Sequence, residues 1–117
     1  MQNMFQQTYH VAGTLGADVS IVFTAPCAMT LVHVSAVGSN AHNGLITIGN
    51  TTTAAAYLAS ASIGVSNVPV EFDKDDFVDS QYPHITDGTV FAVALDYNGA
   101  AATAVHDFTL ILTFVEG

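Results

Sequence analysis

Apolar and polar positions along this chain recur mostly with a period of two, the spacing of an extended strand whose successive side chains point to opposite faces. Residues 17–24, ADVSIVFT, place Val19, Ile21 and Phe23 on one side and Ser20, Val22 and Thr24 on the other. Pro26 closes that strand, because proline has no N–H to give to a ladder. In AMTLVHVSAVG, Met29, Leu31, His33 and Ser35 are expected on one face and Thr30, Val32, Val34 and Ala36 on the other. Apolar residues fall on both faces, so this strand belongs inside a sandwich or beneath a neighbour. SNAHNG reads as a surface turn and LITIG as the next strand. The stretch NTTTAAAYLASASIG is expected to form a loop, a turn of helix and a short strand, its alanines favouring helix and its Thr and Ser residues limiting the length. VPVEF sends Val68, Val70 and Phe72 one way, and the acidic run from Asp73 to Asp79 with the Pro83 region forms a long connection.

The last third carries the strongest pattern. In TVFAVALDY, Phe91, Val93, Leu95 and Tyr97 share a face opposite Val90, Ala92 and Ala94. Asn98-Gly99 starts a turn that AAATA lengthens beyond two residues. VHDFTLILTFVEG then aligns His106, Phe108, Leu110, Leu112 and Phe114, which makes it the expected centre of a sheet. Seven or eight strands separated by turns predict an all-β, single-domain antiparallel β-sandwich of the jelly-roll kind. The Cys and Trp core that would mark an immunoglobulin domain is missing. Residues 8–117 are assigned to the sandwich. Residues 1–7, amide-rich, are expected to be a flexible or docking arm in which Met4 and Phe5 supply an apolar anchor.

Composition narrows the partners. Only 9% of the 117 residues are charged, and a single Lys or Arg, Lys74, faces ten acidic residues for a formal charge of −9. Nucleic acid is disfavoured, since phosphate binding requires the Lys and Arg that are lacking; an anionic membrane is disfavoured for the same reason. A basic protein surface or a cation is attracted, and solubility alone also accounts for such a charge. MQNMFQQTYH shows neither the basic start nor the apolar run of a secretory signal, and no stretch has the length of a membrane span. Cys27 is the only cysteine, which excludes an intrachain disulfide and makes a small hydrophobe beside Pro26 its expected role.

Catalytic chemistry finds little support, and no cofactor is expected. His10, His33, His42, His84 and His106 follow no closely spaced metal signature, and the paired-histidine motif of a cupin is missing. His33 and His106 are expected to be hydrogen-bonded strand residues, with His42 and His84 exposed in loops. His106 and Asp107, as strand neighbours, should face opposite ways. No nucleophile elbow presents a serine. In EFDKDDFVD, Glu71, Asp73, Asp75, Asp76 and Asp79 crowd around Lys74. That run lacks the order and glycine of an EF-hand, which leaves a solvated acidic loop, a dock for a basic partner or a cation site.

Sheet proteins usually guard their edges with lysines, prolines or bulges. The one lysine here lies in a loop, so some edges or faces are expected to be covered by further copies. At this point a resemblance enters. From FTAPCAMTLVHVSAVGSNAHNGLITIGN through VPVEFDKDDF and PHITDGTVFAVALDYNG to FTLILTFVEG, the chain resembles the small β-sandwich head decoration, or cement, proteins of tailed bacteriophages. The resemblance implies a virion protein, often trimeric, on the outer capsid surface at junctions of the major capsid protein, stabilising the shell against internal DNA pressure. It matches no individual contact residues. Charge and exposure instead nominate Met4, Phe5, Glu71, Asp73, Asp75, Asp76 and Asp79 as partner contacts. A minor tail or fibre module would use the same fold, and a carbohydrate-binding module would need exposed rings such as Tyr57, Tyr82 and Tyr97.

Overall fold

A computed structural model describes residues 3–100 and 102–117. Its strands are β1 (Met4–Thr14), β2 (Val19–Thr24), β3 (Met29–Val37), β4 (Leu45–Asn50), β5 (Leu58–Ser62), β6 (Val70–Phe72), β7 (His84–Ile85), β8 (Val90–Asp96) and β9 (His106–Glu116). One sheet has the order β1-β9-β3-β6, with β7 also on β3, and the other has the order β2-β8-β4-β5. Every strand pairing is antiparallel.

The order follows from nested pairing. β4 pairs with β5, β3 with β6 and β7, β2 with β8, and β1 with β9, as in one long ribbon folded back at the β4–β5 connection. Rolling that ribbon brings β9 onto β3 and β8 onto β4, which joins the pairs into two sheets. This is jelly-roll topology, and the all-β sandwich expected from alternation is the fold.

Between the sheets lie Leu31, Val34, Ile46, Ile48, Phe91, Val93, Leu95, Phe108, Leu110, Leu112 and Phe114, all almost fully buried. Phe91 and Phe114 meet edge to face at 5.5 Å; Phe23 packs on both, and Tyr57 stacks on Phe91 at 5.8 Å. The faces assigned to β8 and β9 are the ones that turn inward.

Three expectations change. Residues 4–7 are not a separate arm: β1 runs through them, pairing Met4 with Val115, Phe5 with Phe114, Gln6 with Thr113 and Gln7 with Leu112. Met1 and Gln2 of the expected arm lie outside the described residues. The alternation in β3 does not hold along its length. A bulge between Leu31 and His33 shifts the register, so Met29 and Leu31 point inward before it and Val34 and Ala36 after it. Residues 51–57 form turns and no helical turn; Asn50 Oδ1 accepts the N–H groups of Thr52 and Thr53, the local competition by which Asn opposes helix.

Candidate functional site

The rolled ribbon gathers its connections at two ends. One end holds the β2–β3, β4–β5 and β7–β8 connections together with both described termini, and the β6–β7 connection leaves the edge of β3 opposite Val34 and rejoins it near this end, opposite Thr30. Hydrogen bonds tie these segments to one another: Val78 N–H to Tyr57 O, Leu31 N–H to Pro83 O, Gly88 N–H to Ala25 O, Glu116 N–H to Asn3 O and Gly117 N–H to Ala28 O. Six of the ten acidic residues lie at or towards this end: Asp87 and Glu116 at it, and Asp73, Asp75, Asp76 and Asp79 on the β6–β7 excursion beside it. Asp18, Asp96 and Asp107 lie at the other, and Glu71 sits between on β6. β1 to β5 carry no Lys, Arg, Asp or Glu.

The spacing of two phenylalanines shapes the acidic loop. Phe72 and Phe77 are both buried, so the four residues between them must turn outward. The turn is closed by Asp76 N–H donating to Asp73 O at 3.0 Å. Carboxylates complete it: Asp73 Oδ1 accepts from Asp75 N–H at 3.1 Å, and Asp76 Oδ2 accepts from Asp73 N–H at 3.0 Å. Asp79 and Ser80 take left-handed backbone, φ 61° and 52°, as the chain leaves this turn. The loop is thus held by its own charged groups, and a partner docking there meets an ordered segment with less entropy left to lose.

The nominated contacts separate on this frame. Asp73, Asp75, Asp76 and Asp79 are exposed together at the acidic end. Met4, 67% exposed, opens β1 at the same end, and its row across the outer sheet face continues through Val115 and Thr30 to His84. Phe5 is half-buried, its ring stacked on Phe114 at 5.3 Å and packed against the domain's own core. Glu71 stands apart on the sheet, with Oε1 3.6 Å from His33 Nε2.

At the opposite end two side chains do structural work that alternation concealed. His42, expected in the open, is half-buried: its Nδ1 accepts from Gly44 N–H at 3.0 Å and its Nε2 lies 2.7 Å from Gly64 O. The neutral ring protonated on Nε2 satisfies both contacts at once. Asp107 leaves the strand pattern with φ 49°, opposite a β1 bulge that includes Gly13 at φ 82°. The Gly13 N–H bond, then the Ser39 hydroxyl, hold its carboxyl below the usual carboxylate range, with nearby His10 and His106 acting in the same direction. Burial raises the Tyr9 phenol.

Among the described residues no three His, Cys, Asp or Glu side chains come together to hold a metal ion, and no helix is long and apolar enough to cross a membrane. The five histidines of the sequence are dispersed over β1, β3, the β3–β4 connection, β7 and β9. Of the rings a sugar-binding surface would need, Tyr57 is buried and Tyr97 packs partly against the core, leaving Tyr82 exposed.

No family model matches the chain, and no curated protein matches it in sequence. Among solved structures it is similar to a chain of the cyanophage Pam1 capsid asymmetric unit, with 12% identity over 99% of this chain and 85% of that one and a TM-score of 0.58. At that identity the likeness is one of fold, and it extends over nearly the whole jelly roll.

Proposed function

We propose that this protein is a non-enzymatic virion component that binds the outside of an assembled phage capsid through its acidic end and stabilises the shell. The observation that carries this is the segregation of charge: four carboxylates on one ordered loop, with Asp87 and Glu116 towards the same end of the sandwich, while most strands of both sheets carry no Lys, Arg, Asp or Glu. The fold likeness to a chain of a cyanophage capsid supports the setting. A partner offering Lys and Arg at the junction of neighbouring subunits would pair with this end, and Met4 at its margin would add an apolar contact.

The mechanism is thermodynamic. A ligand that binds only the assembled lattice stabilises that lattice by mass action, and contacts spanning two subunits must break before those subunits part. Heads with and without the protein, heated or osmotically shocked, should differ in rupture threshold. The variant Asp73→Asn/Asp75→Asn/Asp76→Asn/Asp79→Asn should abolish the difference while remaining folded. Equal thresholds for bare and decorated heads would overturn the stabilising role, and unchanged binding of the variant would overturn the assignment of the acidic end. A place in the tail or fibre uses the same fold and is distinguished by labelling the protein in intact virions.

A further inference from the structure

We propose that β1 is a self-association edge, pairing antiparallel with β1 of a second copy about a two-fold axis at Gln7. This does not depend on the capsid assignment, because it rests on the sheet alone.

β1 ends its sheet, with β9 on one side and no strand on the other among the described residues. From Met4 to Val11 it pairs with β9 residue by residue without interruption, and its one irregularity falls beyond Val11. That run, FQQTYHV after Met4, contains no Pro, Lys, Asp or Glu, the residues that normally blunt an exposed edge. The other edges are protected. β6 and β7 are three and two residues long and flank the acidic loop. β2 is six residues long, between Asp18 and Pro26, and β5 has five residues. Among the described residues β1 is the longest edge, with an unbroken register from Met4 to Val11.

Charge identifies the occupant as a second copy. Two chains of −9 repel unless they meet away from their acidic residues, and β1 is the longest edge strand without Lys, Arg, Asp or Glu. Its direction matters as well. β1 starts at the acidic end and runs toward the other, so antiparallel pairing sets the two acidic ends at opposite extremes of the joined sheet, whereas parallel pairing would place them side by side. A two-fold axis perpendicular to the sheet keeps both cores on the same side and matches residues of equal parity. Centred on Gln7, it sets Phe5 against Tyr9 of the second copy, Gln6 against Thr8, and Met4 against His10, all within the uninterrupted run. Phe5, Gln7 and Tyr9 are only half-buried in one chain, and the cross-strand aromatic pairs would cover them. Such a contact is self-complementary and closes at two copies, so the dimer takes the place of the trimer that the resemblance implies.

The test is sedimentation of the full chain from micromolar to millimolar concentration, with the melting temperature followed in parallel. A dimer that dissociates on dilution is expected, and Gln6→Lys/Thr8→Lys, which sets lysines against one another on exposed positions, should weaken it by about tenfold or more while leaving the melting temperature of the dilute monomer unchanged. Gln7→Cys/Cys27→Ala should oxidise to a covalent dimer, while Val22→Cys/Cys27→Ala, exposed on β2, should not. A monomer at millimolar concentration, a trimer, or a dimer indifferent to the lysines overturns the proposal. Should the lysine variant fail to fold, the two cysteine variants decide: equal cross-linking overturns it.

Discussion

The backbone N–H of Gly13 donates to Asp107 Oδ1 at 2.7 Å, joining residues at opposite ends of the chain where β1 and β9 stop pairing in register. Ser39 Oγ donates to the other oxygen at 2.9 Å, so one carboxylate links β1, β9 and the β3–β4 connection. Asp107→Ala removes both acceptors and leaves a residue poorly suited to φ 49°; its melting temperature should fall below that of Asp107→Asn, which keeps one oxygen.

The same carboxylate has a signed effect on acid stability. Its folded pKa lies below the ordinary 3.8, so between the two values the unfolded chain binds more protons than the folded one and stability rises with pH. The contribution is full above about pH 4 to 5 and is lost as pH falls through the folded value. Melting curves from acid to neutral pH should therefore show a flatter acid limb for Asp107→Asn than for the native chain, and parallel limbs would count against it.

Phe108 and Phe114 are fully buried on β9, the strand shared by β1 and β3. Truncating either to Ala should cost about 3–5 kcal/mol, against the 5–15 kcal/mol that holds a typical domain. Phe5→Ala, at the half-buried margin of the same cluster, should cost about 1–2 kcal/mol. Urea unfolding checks the ranking; equal losses would mean that Phe5 is as enclosed as Phe114.

Gly64 lies where a Cβ would run into the Val68 carbonyl and the Pro69 Cα, both backbone and unable to swing aside. Its own carbonyl meets His42 Nε2. Gly64→Ala should displace the β5–β6 connection and cost about 1–3 kcal/mol, the usual range for overpacking. His42→Ala leaves the Gly44 N–H without its acceptor and should cost about 1–3 kcal/mol. Denaturation midpoints measure both.

β8 and β9 were legible because they lie mid-sheet between two layers, where every second side chain must be apolar. β1 was not, since an edge strand half-buries its inward residues and tolerates Gln7 among Phe5 and Tyr9, which weakens the alternation. The bulge in β3 left no trace, because Val32 is apolar and equally plausible on either face. At the acidic end, the loop was visible as composition, and the burial of Phe72 and Phe77 that pushes it outward was present in their spacing. His42 and Asp107 are fixed in part by Gly64 and Gly13, more than twenty and ninety residues away, which no local pattern encodes.

Nesting of the strand pairs also sets an order of assembly. The β4–β5 pair closes the shortest loop, each pair outside it must enclose all those within, and the entropic cost of closure grows with the length enclosed. β1 can find β9 only after nearly the whole chain is in place. The outermost strand is therefore the last to zip and the first to fray, and its amides should exchange hydrogen for deuterium sooner than those of β8 or β9.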